Sequence, residues 1–133
     1  MIPLLVTIYG QPITKKNSQQ IVSAGGRPRV IQSKAYKEYS ANSISQLRVL
    51  RVCGALIDKP VNAKYVYYMS TRRRVDLTNL MEATDDILVD AQVIVDDNRD
   101  VIASHDGSVV LYDKNVPRVE ITLTEKEDYE PWH

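Results

Sequence analysis

VNAKYVYYM (61–69), STRRRV (70–75) and DLTNLMEATDDILVDAQVIVDD (76–97) form the stretch whose reading decides the fold. In the first segment Val61, Ala63, Tyr65, Tyr67 and Met69 fall at every second position. That period puts them on one face of a β-strand. In the third segment Leu80, Ala83 and Ile87 recur at spacings of three and four. This predicts a helix from Leu77 to about Val89 with those residues toward the core. Asp96-Asp97-Asn98 predicts a turn or helix-like corner beyond it.

Upstream of this stretch, Ile2 to Tyr9 reads as a first strand, rich in Leu, Val, Ile and Tyr. Gly10 to Ser18 is a polar loop carrying Pro12, Lys15, Lys16 and Asn17. Gln20 to Ser23 and Arg29 to Gln32 predict a hairpin around Ala24-Gly25-Gly26. Ser33 is placed to cap a helix that runs to about Val52, with Tyr36, Tyr39, Ile44, Leu47 and Leu50 as its apolar stripe and Gly54 as its stop. Downstream, Val101 to Tyr112 and Val119 to Thr124 predict two strands, most simply paired as a hairpin around Asp113–Pro117. The acidic end, residues 126–133, reads as a loose tail. The expectation is a single α+β domain spanning residues 1–133, with a mixed sheet and two main helices.

Composition agrees with one ordinary domain: 133 residues, 44% of them hydrophobic. The one cysteine, Cys53, has no internal partner for a disulfide, and it reads as an inert buried thiol in a reducing compartment. The apolar opening MIPLLVTIYG lacks a basic leader region and a cleavage site. No run approaches the roughly 18 apolar residues of a membrane span. A cytoplasmic protein without membrane attachment is expected.

The net charge of zero conceals a division. Residues 1–74 hold 13 Lys or Arg against two acids, a balance of +11, and residues 75–133 hold 4 against 15, a balance of −11. One reading is a nucleic-acid surface in the first part and cation-holding carboxylates in the second. The other is that the halves neutralise each other by scattered surface pairs.

Phosphate-cradling glycine loops, zinc-spaced Cys/His sets and serine-nucleophile elbows are all absent from the sequence. The two histidines, His105 and His133, give poor support to histidine catalysis, and His105 reads as structural or surface. Carboxylates remain. Asp76 follows three arginines, Glu82, Asp85, Asp86 and Asp90 lie along the predicted helix, and Asp96 and Asp97 sit in the turn beyond it. Phosphodiester hydrolysis needs an activated water and neutralisation of charge at phosphorus, which Mg2+ supplies when two or three acids hold it with open positions. Asp85 and Asp90 taken singly read as a solvated helix face. Arg72, Arg73 and Arg74, directly before a candidate ligand, suit phosphate contact.

Arg72-Arg73-Arg74-Val75-Asp76-Leu77-Thr78-Asn79-Leu80, then Asp86, then Val93-Ile94-Val95-Asp96-Asp97, resembles the RusA family of Holliday-junction resolvases. Pro12, Lys15 and Lys16 after the first strand, and the helix near Tyr36, also look similar. The resemblance implies a small homodimeric endodeoxyribonuclease, often encoded by phages or prophages, that binds four-way DNA junctions and nicks two strands symmetrically in recombination and repair. It implies metal-binding aspartates at Asp76 and Asp97, with Asp96 beside them, and Mg2+ or Mn2+ as cofactor.

Two positions depart from the family pattern: Thr78 stands where it has an aspartate, and Glu82 where it has a lysine. Glu82 lies one turn beyond Thr78 and on this reading restores the third metal ligand, giving Asp76, Glu82 and Asp97. Asn79 and Asp86 would order the site from behind. Lys15, Lys16 and Arg72 to Arg74 would hold DNA phosphates. The departures leave open a non-catalytic branched-DNA-binding protein of the same fold, and an interaction module whose acids merely solvate it.

Overall fold

The computed structural model describes residues 2–15, 19–25, 27–52, 54 and 56–126. Met1, Lys16, Asn17, Ser18, Gly26, Cys53, Ala55 and residues 127–133, His133 included, lie outside them.

The elements in chain order are β1 (Leu4–Tyr9), β2 (Gln19–Ala24), β3 (Arg27–Gln32), α1 (Lys34–Val52), β4 (Val61–Met69), α2 (Leu77–Asp90), β5 (Ile102–Ser104), β6 (Val109–Tyr112) and β7 (Arg118–Glu125). This is the expected α+β domain with two helices and a mixed sheet. β2 and β3 form the expected antiparallel hairpin as a sheet of their own. The main sheet has the order β1-β7-β4, with β5 and β6 both on the far side of β4. β1 and β4 run antiparallel to β7, whereas β5 and β6 run parallel to β4.

One pairing differs from the sequence expectation. The segment from Val101 to Tyr112 is two short strands, and neither joins β7 in a hairpin. β4 lies between them: Tyr67 pairs Val110 on one side and Val119 on the other. A strand that buries alternate residues along its full length gains most in the middle of a sheet, and β4 occupies that place. The Asp113–Pro117 turn therefore steps across the end of β4, where the Asp113 N–H donates to the Met69 carbonyl at 2.9 Å.

The strand breaks at residues 105–108, where Gly107 adopts φ +87° and turns the chain out of the ladder. Side chains take over the backbone's partners there. The Tyr65 N–H donates to Ser108 Oγ at 3.0 Å, the Ala63 carbonyl meets His105 Nδ1 at 2.8 Å, and Asn62 bonds Ser104 Oγ and the Asp106 backbone. Unpaired backbone groups on a buried strand are costly, so these residues complete β4 where no strand lies beside it.

Local signals explain both helices. Ser33 Oγ accepts the Tyr36 N–H at 3.1 Å and caps α1, and Gly54 follows the helix at φ +76°. Tyr36, Tyr39, Ser43 and Leu47 form α1's buried stripe, with Ile44 and Leu50 partly covered. On α2, Leu80, Ala83, Thr84, Ile87 and Leu88 are buried in the core, and hydrogen bonds of Thr84 with Tyr67 and of Asp85 with Tyr65 set the helix over β4. Each large apolar side chain fully buried here contributes about 1.5–3 kcal/mol. The cost of burying the Thr84 hydroxyl is offset, because it meets Tyr67 Oη at 2.7 Å and the Leu80 carbonyl at 3.0 Å. Among the described residues, no helix is long and apolar enough to cross a membrane.

Candidate active site

Asp76 opens α2 as its N-cap. Its backbone is extended (φ −84°, ψ 116°), and Oδ1 accepts the N–H of Thr78 at 2.9 Å and of Asn79 at 3.4 Å. A carboxylate at this end also meets the positive end of the helix dipole. Arg72, Arg73 and Arg74 lie exposed in the preceding loop, with the Arg72 guanidinium 4.5 Å above the Tyr112 ring.

Ten residues of helix, about 15 Å of axis, separate Asp76 from Asp86. Asp86 forms an ion pair with Lys15, both side chains about two-thirds covered. Lys15 Nζ also lies 5.9 Å from the centre of the Tyr36 ring. Glu82, one turn before Asp86 on the same side of α2, is exposed. The Tyr36 phenol is pushed above its ordinary value, first by burial and then by the charges of Asp86, Asp90 and Glu82. Asp86 thus faces the loop that carries Lys15, beside Tyr36 of α1.

Asp85 does not lie on a solvated face, contrary to the sequence reading. Its side chain is only 14% exposed. Oδ1 accepts the Tyr65 hydroxyl at 2.6 Å, and Oδ2 lies 3.1 Å from His105 Nε2. His105 has an acceptor at each ring nitrogen, the Ala63 carbonyl and Asp85, and this geometry calls for both to carry protons. Burial alone would lower the His105 pKa, but the hydrogen bond and charge of Asp85, with the Ala63 carbonyl, raise it above 6.5. Sequence reasoning missed this trio. The signal was present in Tyr65, whose inward position in β4 obliges its hydroxyl to find a partner on the facing helix.

Asp96 and Asp97 occupy the exposed turn expected for them. Asp96 Oδ1 accepts the Asp97 N–H at 2.8 Å, and Oδ2 accepts from Asn98 Nδ2 at 3.1 Å. Asp96 therefore shapes the turn. The Asp97 carboxyl is pushed up from its ordinary value by partial burial, then by its hydrogen bond with Asp96, then by the charges of Asp86 and Asp85.

The expected trio of Asp76, Glu82 and Asp97 is not gathered into one three-ligand group. Among the described residues, no three His, Cys, Asp or Glu side chains are close enough to hold a metal ion together. The side chains concerned are carboxylates, which offer oxygen donors. That chemistry fits a hard divalent cation held by one or two carboxylates and completed by substrate phosphate and water. Lys16 lies outside the described residues.

No curated protein matches the chain in sequence. A family model described as Endodeoxyribonuclease RusA matches residues 10–124, which run from the loop bearing Lys15 through the arginines, α2 and the Asp96-Asp97 turn to the end of β7. With that span covered, the chain belongs to the RusA family of Holliday-junction endodeoxyribonucleases.

Proposed function

We propose that the chain is a structure-selective endonuclease that resolves four-way DNA junctions by symmetric nicking, dependent on Mg2+ or Mn2+ and acting as a homodimer. The observation that carries this reading is the exposed arginine loop Arg72–Arg74 leading into Asp76 at the head of α2, inside the span that the family model matches.

Asp97 is the principal metal-holding residue in this proposal. Glu82 and Asp86 add carboxylates along α2, and Asp76 offers Oδ2 at the helix head while Oδ1 serves the cap. When bound, the divalent ion supplies an activated water and charge neutralisation at phosphorus. Asp96 holds the turn that aims Asp97. Asn79, in the first turn of α2, and Asp86, through its ion pair, support the site from either end. Arg72, Arg73 and Arg74 contact the phosphates that flank the cut and fix the register of the DNA. A two-fold dimer presents two such sites, which suits paired incisions across a junction.

The test is incubation of the purified chain with a labelled four-way junction and a matched linear duplex, in Mg2+ or in EDTA, beside Asp97→Asn. Paired, metal-dependent nicks in the junction alone, absent from the variant, are expected. Tight junction binding without cleavage in either Mg2+ or Mn2+ would replace this reading with the non-catalytic branched-DNA-binding one.

A further inference from the structure

We propose that Tyr112, with Arg72 laid over its ring, is a stacking platform for a nucleobase exposed at the DNA branch point. Through it the chain distinguishes branched from linear DNA. The inference rests on the branched-DNA reading above.

Four observations carry it. Tyr112 ends β6 and is 43% exposed. A lone exposed aromatic means little, but this one holds a guanidinium of the arginine run 4.5 Å from its ring centre. The ring therefore faces the loop proposed to meet DNA. Second, the platform stands on fixed backbone. Tyr112 pairs Met69 in the β4–β6 ladder, the Asp113 N–H donates to the Met69 carbonyl at 2.9 Å, and the Ser70 N–H donates to Gln11 Oε1 at 2.9 Å. Ring and loop thus leave from one secured corner of the sheet. Third, the contact of Arg118 with Tyr68, at 3.8 Å, differs in kind. The Arg118 N–H groups are taken by Asp113, Glu120 and the Val116 carbonyl, so that contact is structural. Among the described residues no acceptor holds Arg72 in this way, and its N–H groups are available to a phosphate beside the ring. Fourth, Asp76 at the head of α2 follows Arg72 by four positions, at most about 14 Å of chain. That is the rise of about four base pairs. A base on Tyr112 thus belongs to a nucleotide close to the proposed cut.

Phosphate contacts hold any DNA and carry no information about branching. An aromatic ring adds it. Within a linear duplex every base is covered on both faces by its neighbours, and exposing one is costly. At a branch point a base pair loses a neighbour, so a face is offered without that cost. Every base has a π-face, so the platform selects for structure and is indifferent to sequence. Arg72 adds a cation beside the stack and donors for the adjoining phosphate.

The test reads binding in EDTA, so that no turnover enters. Dissociation constants for a labelled four-way junction and a matched linear duplex are measured on the unmodified chain, Tyr112→Leu and Tyr112→Phe. Tyr112→Leu should weaken junction binding about tenfold, the scale of one lost base stack. Its duplex binding should change by less than about twofold, with the salt slope unaltered. Tyr112→Phe should bind as the unmodified chain does, because the ring and not the hydroxyl forms the stack. On the unmodified chain, iodouracil placed beside the branch point should cross-link to Tyr112 under light, and the same base in the linear duplex should not.

Unchanged junction binding by Tyr112→Leu would overturn the platform, as would equal losses on junction and duplex. A salt slope reduced by about one would make the ring merely a support for Arg72. Should Tyr112→Leu disturb folding, seen as a lowered urea midpoint, the cross-link on the unmodified chain decides. Its absence at every position beside the branch point removes the proposal. A cleavage assay in Mg2+ separates the two readings. If the unmodified chain nicks the junction while Tyr112→Leu binds it normally, only the platform fails. If the unmodified chain binds the junction tightly and cuts nothing, the nuclease reading fails, and the platform stands or falls on the same binding ratio. If it binds junction and duplex alike, the platform fails whatever the chain cuts.

Discussion

Tyr65→Phe isolates one oxygen in the core. Tyr65 is fully buried, and its hydroxyl donates to Asp85 Oδ1 at 2.6 Å. Phenylalanine retains the ring and its packing, including the edge contact with Tyr67 at 6.1 Å between centroids. What goes is a hydrogen bond to a carboxylate that is itself largely covered. Bonds to charged groups contribute about 1.5–3 kcal/mol. Removing a buried hydroxyl returns part of its desolvation cost, so about 2 kcal/mol is expected for the substitution. For a chain of this length that lowers the melting temperature by roughly 8 °C. The assay is urea unfolding at pH 6, with thermal unfolding alongside. The midpoint should drop while the denaturant slope stays constant. The same substitution made in His105→Gln should cost a different amount, because both residues hold one carboxylate. A loss below about 0.5 kcal/mol, within the range of ordinary surface changes, would refute the claim that this bond secures Asp85.

Further outcomes follow from the same geometry. The folded pKa of His105 is raised above its ordinary 6.5, so its stabilising contribution is complete below that value and is lost as pH rises through the folded value. Unfolding free energy measured between pH 6 and 9 should therefore decline with pH, and His105→Gln should flatten the decline. Ser33→Ala should cost about 1 kcal/mol by removing the α1 cap, read from the denaturation midpoint. Alanine in place of any of Arg72, Arg73 or Arg74 should weaken junction binding and reduce its salt slope by about one, while Asp97→Asn should leave both unchanged.

Much of the fold was legible because its signals are local. The alternation in β4, the period of α2, the Ser33 cap and the Gly54 stop each lie within a few residues of what they specify. The pairing of β4 between β6 and β7 was not legible, since a turn signal at Asp113–Pro117 says that the chain reverses but not which strand it lands beside. The site divides in the same way. The Asp96-Asp97 turn and the place of Asp76 at the head of α2 follow from short-range residue order. Asp85 reads as solvated until Tyr65 and His105, which lie 20 residues away on either side, are seen to close on it. Lys15 reads as one more basic residue in a basic half until its distant partner is known.

The broken strand beside β4 bears on how the molecule meets its own copies. An edge strand is a template for another chain when it presents a continuous row of amides and carbonyls. Here that side of the sheet ends in two fragments of three and four residues, interrupted by the His105–Ser108 excursion. An incoming strand would find its ladder cut after a few rungs. The opposite margin, β1, is an unbroken six-residue strand. Growth of the main sheet from molecule to molecule, the route to fibrous aggregates, is hindered on one side by a gap filled with side chains, and among its described strands β1 is the continuous edge.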